Sequence, residues 1–180
     1  MTTHIVLLRG INVGKHNRIA MAELRSMLTN LGYTAVSTLL NSGNAVVTTP
    51  VNDPSAVALS IHEGIKEKFG LSIVTIVRSK AQIQRVIERN PMPAEAEQSP
   101  KFFHVGFCES APTNDALDVV DKEKIAPNKA VLDEGTLYLW FANGLHDSSL
   151  ARALSTHKLD RNVTMRNWNT VQKLLDTAEN

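Results

Sequence analysis

The chain repeats itself, and nothing else in it limits the choice of fold so strongly. The stretch "VRSKAQIQRVI" (77–87) lies over "MRNWNTVQKLL" (165–175) without a gap. Arg78 falls on Arg166, the helix-capping residue Ser79 on Asn167, Gln84 on Gln172, and three apolar positions stay in phase. "LLNSGNAVV" (39–47) reads in the same way against "VLDEGTLYL" (131–139), with Gly43 on Gly135. Two matched pairs in the same order point to a duplicated unit.

Local patterning gives each copy the same elements. "HIVLL" is a continuous apolar strand, and "MAELRSMLTNLG" sets Met21, Leu24, Leu28 and Leu31 on one helical face with Gly32 as the stop. "TAVSTLL" and "AVVTT" flank Asn41-Ser42-Gly43-Asn44 as a hairpin. Asp53-Pro54 opens a helix carrying Val57, Ile61, Ile65 and Phe69, Gly70 closes it, and "LSIVTIV" follows as a strand. Ser79 and Gln82 form a capping box for a further helix, which "NPMPAEAEQSP" breaks. The second copy reads as strand "KFFHVGF", a helix from about Thr113 with Leu117 and Val120, strands "KAVLD" and "TLYLWFA" about Glu134-Gly135, a helix over 149–156, and strand "NVTM". The order is β-α-β-β-α-β twice. The expectation is an α+β chain, a tandem duplication of a ferredoxin-like unit with two antiparallel sheets and helices packed on one face of each. The halves are placed at 1–88 and 101–180, each with an added helix, with 91–100 as linker and the two packed as one unit. At 180 residues and 43% hydrophobic content the chain buries roughly 70% of its unfolded surface, enough for this.

Together, in this order, "LRGINVG", "NSGN" and "TMRNWNT" span nearly the whole chain, and with them the sequence resembles a bacterial family catalogued as domain of unknown function 1697. The resemblance implies an α+β fold in keeping with the duplication and carries no established activity. Members of that family often have Gly-Gly where this chain has Gly14-Lys15, so Lys15 brings a charge to a place where the family pattern offers backbone alone.

Topology suggests where a ligand would sit. In a β-α-β-β-α-β sheet the first and second strands run parallel, so the loop leaving the first strand and the turn between the second and third emerge at one end. Arg9, Gly10, Asn12, Gly14 and Lys15 should therefore lie near Ser42, Gly43 and Asn44. Glycines allow close backbone approach, successive N–H groups form an anion nest, and Arg9 or Lys15 adds a charge-assisted bond. The candidate ligand is a small phosphorylated or carboxylated molecule, with a nucleotide included in that class. The plainer reading is that Asn12 and Asn44 pin the two loops through backbone hydrogen bonds. Arg166 and Asn167, at a helix start, are a secondary addition; there the plainer reading makes Asn167 a cap, Trp168 a packing residue and Arg166 a surface charge.

Other chemistries find less support. The glycine spacing is one residue short of a Walker A loop, His16 stands where Ser or Thr would hold magnesium, and no dinucleotide fingerprint is present. The six histidines, His4, His16, His62, His104, His146 and His157, form no metal-ligand spacing, so no metal is expected, and no cofactor is indicated. The single cysteine, Cys108, excludes an intramolecular disulfide and reads as a semi-buried bystander. Net charge is +1 with both signs interspersed, against a broad nucleic-acid footprint. Two alternatives stay open: a single-stranded RNA module stacking bases on Tyr138 and Trp140, and an enzyme acting on a phosphorylated metabolite, for which only His16 is close to the loop. No apolar run approaches the roughly 18–20 residues of a membrane span and no leader pattern precedes "HIVLLRG", so a cytoplasmic protein without a membrane partner is expected.

Overall fold

Alternation in the first strand fixes the first sheet. In β1 (Thr2–Leu8), Val6 and Leu8 face the helices while Ile5 and Leu7 face the other way, and all four are buried. The chain then runs through α1 (Met21–Asn30), β2 (Thr34–Leu39), β3 (Asn44–Thr49), α2 (Pro54–Phe69), β4 (Thr75–Ser79) and α3 (Lys80–Glu88). The four strands form a sheet of order β2-β3-β1-β4, antiparallel at every pairing. Leu24, Met27 and Leu28 of α1 and Val57, Ile61 and Ile65 of α2 pack on Val6, Leu8, Ala45, Val47 and Val77 of one face. Asp53 caps α2 by accepting from Ser55 N and Ala56 N, and Gly70 ends it in the left-handed conformation, as its sequence predicts.

The computed structural model describes residues 1–179 and divides into two units, Met1–Arg85 with the residues from Lys173 onward, and Val86–Gln172. The second contains α4 (Pro93–Gln98), β5 (Phe103–Cys108), α5 (Lys122–Ile125), β6 (Lys129–Asp133), β7 (Thr136–Trp140), α6 (Ser149–Thr156) and β8 (Val163–Asn167), and α7 (Trp168–Glu179) begins in it. Its sheet has the order β6-β7-β5-β8, again fully antiparallel. Leu137, Leu139 and Val163 meet Leu150 and Leu154 of α6 on one face. The two units thus share one topology, and the pairing registers make the correspondence explicit. Ile5 pairs with Arg78 as Val105 pairs with Arg166, and His4 with Ser79 as His104 with Asn167.

Four local expectations need correction. Thr113–Val120 is a run of turns closed by bonds such as Ala116 N to Thr113 O and Val120 N to Leu117 O, not a helix; the helix between β5 and β6 is the single turn α5, capped by Asp121. Within "NPMPAEAEQSP", expected only to break α3, Pro93 opens α4, where its missing N–H is no loss. "LSIVTIV" yields a strand only from Thr75, since Ile73 turns into the core. The hairpins also differ. Leu39 pairs with Asn44 across a longer loop, whereas Asp133 pairs with Thr136 across Glu134-Gly135 alone, both with positive φ. The ungapped match of 39–47 to 131–139 therefore holds from Gly43 onward and slips on the preceding strand.

Candidate functional site

The loop after β1 and the β2–β3 turn do meet. Leu8 N donates to Gly43 O at 2.8 Å, and the Asn12 side chain reaches Asn41 O at 2.9 Å. Asn12 braces the loop from inside. Its Nδ2 also donates to Ile19 O (2.9 Å), its Oδ1 accepts from Ile19 N (3.0 Å), and its own N–H donates to Asn17 O (3.0 Å). Asn17 Nδ2 closes the base of the loop on Gly10 O at 3.2 Å. One side chain thus fixes both ends of the loop and the facing turn.

Gly10, Asn12 and Gly14 have positive φ (67°, 55° and 60°), with negative values between, an alternation that concave anion-binding backbone uses. Side chains added at Gly10 or Gly14 would meet nothing within 4 Å, so both backbones face open space. Gly14, Lys15, His16, Asn17 and Arg18 are all exposed, and Val13 and His16 pair to close the tip. Arg9 is half-buried at the strand end, its N–H donating to Val74 O at 3.0 Å.

The turn is built differently. Asn44 is 0% exposed and its Nδ2 donates to Leu39 O and Ser42 Oγ, both at 3.0 Å. Gly43 is buried, and a Cβ there would sit 2.7 Å from Leu8 Cβ and 2.9 Å from Ile11 Cγ1. Gly43 and Asn44 therefore shape the floor, and Ser42 and Asn41 are the exposed members.

Beside the loop lies an open depression of about 520 Å³ whose wall includes Asn12, Arg18, Ile19, Glu23 and Asn41. Arg18 was not singled out by the sequence pattern, because it falls outside the glycine motif; Asn41 belongs to the predicted turn but was not among the expected binding residues. Arg9 and Lys15 belong to the same loop and do not line that depression.

Arg166 and Asn167 sit at the end of β8 that pairs with the start of β5, whereas the equivalent of the Arg9 loop in their own unit leaves the other end of β5. Arg166 is 9% exposed rather than a surface charge; its Nη1 donates to Thr164 Oγ1 (2.7 Å) and Met165 O (2.9 Å). Burial lowers its pKa to about 10, which leaves it a cation at neutral pH. Asn167 caps α7, its Oδ1 accepting from Thr170 N (3.0 Å) and Thr170 Oγ1 (2.8 Å). Arg78 repeats the pattern, with Nη1 on Val77 O at 2.9 Å, and Ser79 and Gln82 cap α3 reciprocally.

Tyr138 and Trp140 do share a face, and both are buried, at 1% and 5% exposure; the Tyr138 hydroxyl donates to Val86 O at 2.9 Å. Trp168 packs edge-on against Phe103. Among the described residues no group of three or more His, Cys, Asp or Glu side chains is placed to hold a metal, and no helix is long and apolar enough to cross a membrane.

Comparison with known proteins agrees with this architecture. The conserved bacterial protein SP0830 from Streptococcus pneumoniae has a similar structure, with a TM-score of 0.76 over 98% of each chain at 22% identity, which establishes the fold. No curated protein matches the sequence. The family described as "Protein of unknown function (DUF1697)" matches residues 1–138, more than half of the sequence, and the chain belongs to that family.

Proposed function

We propose that the loop after β1 binds a small anionic ligand, phosphorylated or carboxylated, with nucleotides within that class. The observation that carries this reading is the bracing of an otherwise exposed loop. Asn12 holds its base through bonds to Ile19, Asn17 and Asn41, while Arg18 lines a depression of about 520 Å³ and Lys15 is exposed further along the same loop. A loop fixed in advance loses little entropy on binding. Two cations and open backbone at Gly10 and Gly14 suit an anion. Arg9 contributes at the base, with Ser42 from the facing turn. Arg166 and Asn167 have a complete structural account as a buried cation and a cap, and enter this reading only as secondary candidates.

Stacking of single-stranded RNA on Tyr138 and Trp140 is not favoured, because rings this deeply buried offer bases no face. An enzymatic reading needs an acid, base or nucleophile beside the anion, and His16 on the loop is the one nominee.

A thermal-shift screen against nucleotides, sugar phosphates and carboxylates, with mass spectrometry of co-purifying molecules, tests the proposal. A ligand at about 100 times its Kd stabilises by roughly 2.7 kcal/mol, a shift of order 5–10 °C at about 2–4 °C per kcal/mol. Lys15→Ala combined with Arg18→Ala should abolish that shift. A shift that survives the double substitution would place the ligand elsewhere.

A further inference from the structure

The second unit holds a smaller and more enclosed cavity of about 250 Å³. Its walls are apolar, formed by Cys108, Leu117, Leu137, Leu159 and Val163. Its polar lining consists of Ser110, Asn162, Lys158 and Arg161, with no acidic side chain among the lining residues. Cys108 ends β5, Leu137 lies in β7 and Val163 starts β8, so the floor is the open end of the sheet.

The first unit serves as an internal control. Thr75 pairs with Leu8 as Val163 pairs with Cys108, and Arg9 N donates to Val74 O as Glu109 N donates to Asn162 O. Counting back from these pairs, Gly70 corresponds to Lys158 and Ile73 to Arg161. Gly70 and Lys158 share the left-handed conformation (φ 67° and 60°), one as glycine and the other as a residue for which that conformation is unfavourable. Ile73 is buried in the core of the first unit, whereas Arg161 is exposed at the cavity. At both positions the second unit carries a cation where the first carries an apolar or absent side chain, and both cations line the same apolar hole.

We infer that this cavity is a binding site for a short amphiphilic anion, its apolar chain against Leu117, Leu137, Leu159 and Val163 and its carboxylate or equivalent head on Lys158 and Arg161. The volume falls just under the roughly 300–1,000 Å³ of sites for drug-sized ligands, so the ligand is small. Apolar walls reward chain length and charge-assisted bonds at the mouth reward a negative head.

Calorimetric titration of the full chain with acetate, hexanoate, octanoate and octanol, together with methyl NMR of Leu117, Leu159 and Val163, tests the site. Affinity should rise about fourfold per added methylene from hexanoate to octanoate, acetate should give no measurable heat, and the three methyls should shift. Octanol should bind about tenfold more weakly than octanoate. Lys158→Gly, which restores the residue of the first unit, should raise the melting temperature while weakening octanoate binding, and Arg161→Gln should weaken it as well. Absence of octanoate binding at millimolar concentration, equal binding of octanol, unchanged affinity in both variants, or methyl shifts confined to other residues would overturn the assignment.

Discussion

Gly43 joins the turn to the strand so tightly that two separate costs attend any side chain there. Its φ of 79° is unfavourable for L residues by about 1–2 kcal/mol, and a Cβ 2.7 Å from Leu8 Cβ forces overpacking worth about 1–3 kcal/mol more. Gly14 has the first cost without the second, since its surroundings are open. Urea unfolding should therefore show Gly43→Ala losing about 2–5 kcal/mol and Gly14→Ala about 1–2 kcal/mol; equal losses would mean the turn relaxes away from β1. Tyr138 offers a second test at this scale. Burial, with help from the nearby Asp133 charge, raises its pKa to about 12. Between its ordinary value near 10 and that value, the folded chain holds a proton that the unfolded chain has lost. The resulting stability is complete below about pH 10 and is lost as pH rises toward 12. In a Tyr33→Phe variant, phenolate absorbance should appear about two pH units later than for a free tyrosine; titration near 10 would contradict the burial of the ring.

The elements were legible where the sequence carries their ends. Asp53-Pro54 and Gly70 bracket α2, and Ser79 with Gln82 starts α3, because caps act through neighbouring backbone groups and need no tertiary context. The errors fall where local signals are ambiguous. Leu117 and Val120 sit at helical spacing, yet the segment closes only successive turns, and a proline taken as a break is a helix start at Pro93. The co-location of the β1 loop and the β2–β3 turn followed from topology, but the roles within it did not. That Asn44 would be wholly buried, or that Arg18 rather than Arg9 would line the depression, depends on packing that no motif encodes. Asn167 starts α7 by the same kind of cap. Asn167→Ala should cost about 1 kcal/mol through the lost cap, while Asn167→Asp should keep most of it, measured by chemical denaturation. A loss in both would show that the amide does more than cap α7.

At the scale of the whole molecule, duplication explains why one topology presents two different ends. In the first unit the corresponding end is closed by Ile11, Ile19 and Ile73 beneath a braced, cationic loop; in the second it opens into an apolar cavity rimmed by Lys158 and Arg161. The repeat was visible in the sequence through its strand–helix junctions, whereas the cavity draws its lining from three separated stretches and leaves no local trace. Backbone amide NMR of the full chain titrated with inorganic phosphate tests whether the loop after β1 binds an anion. Amide shifts should concentrate at 10–18 and 41–43, saturate, weaken with salt, and vanish when Lys15 and Arg18 are both replaced by Ala. Shifts that are diffuse over the surface, or that persist unchanged in the double variant, would contradict it.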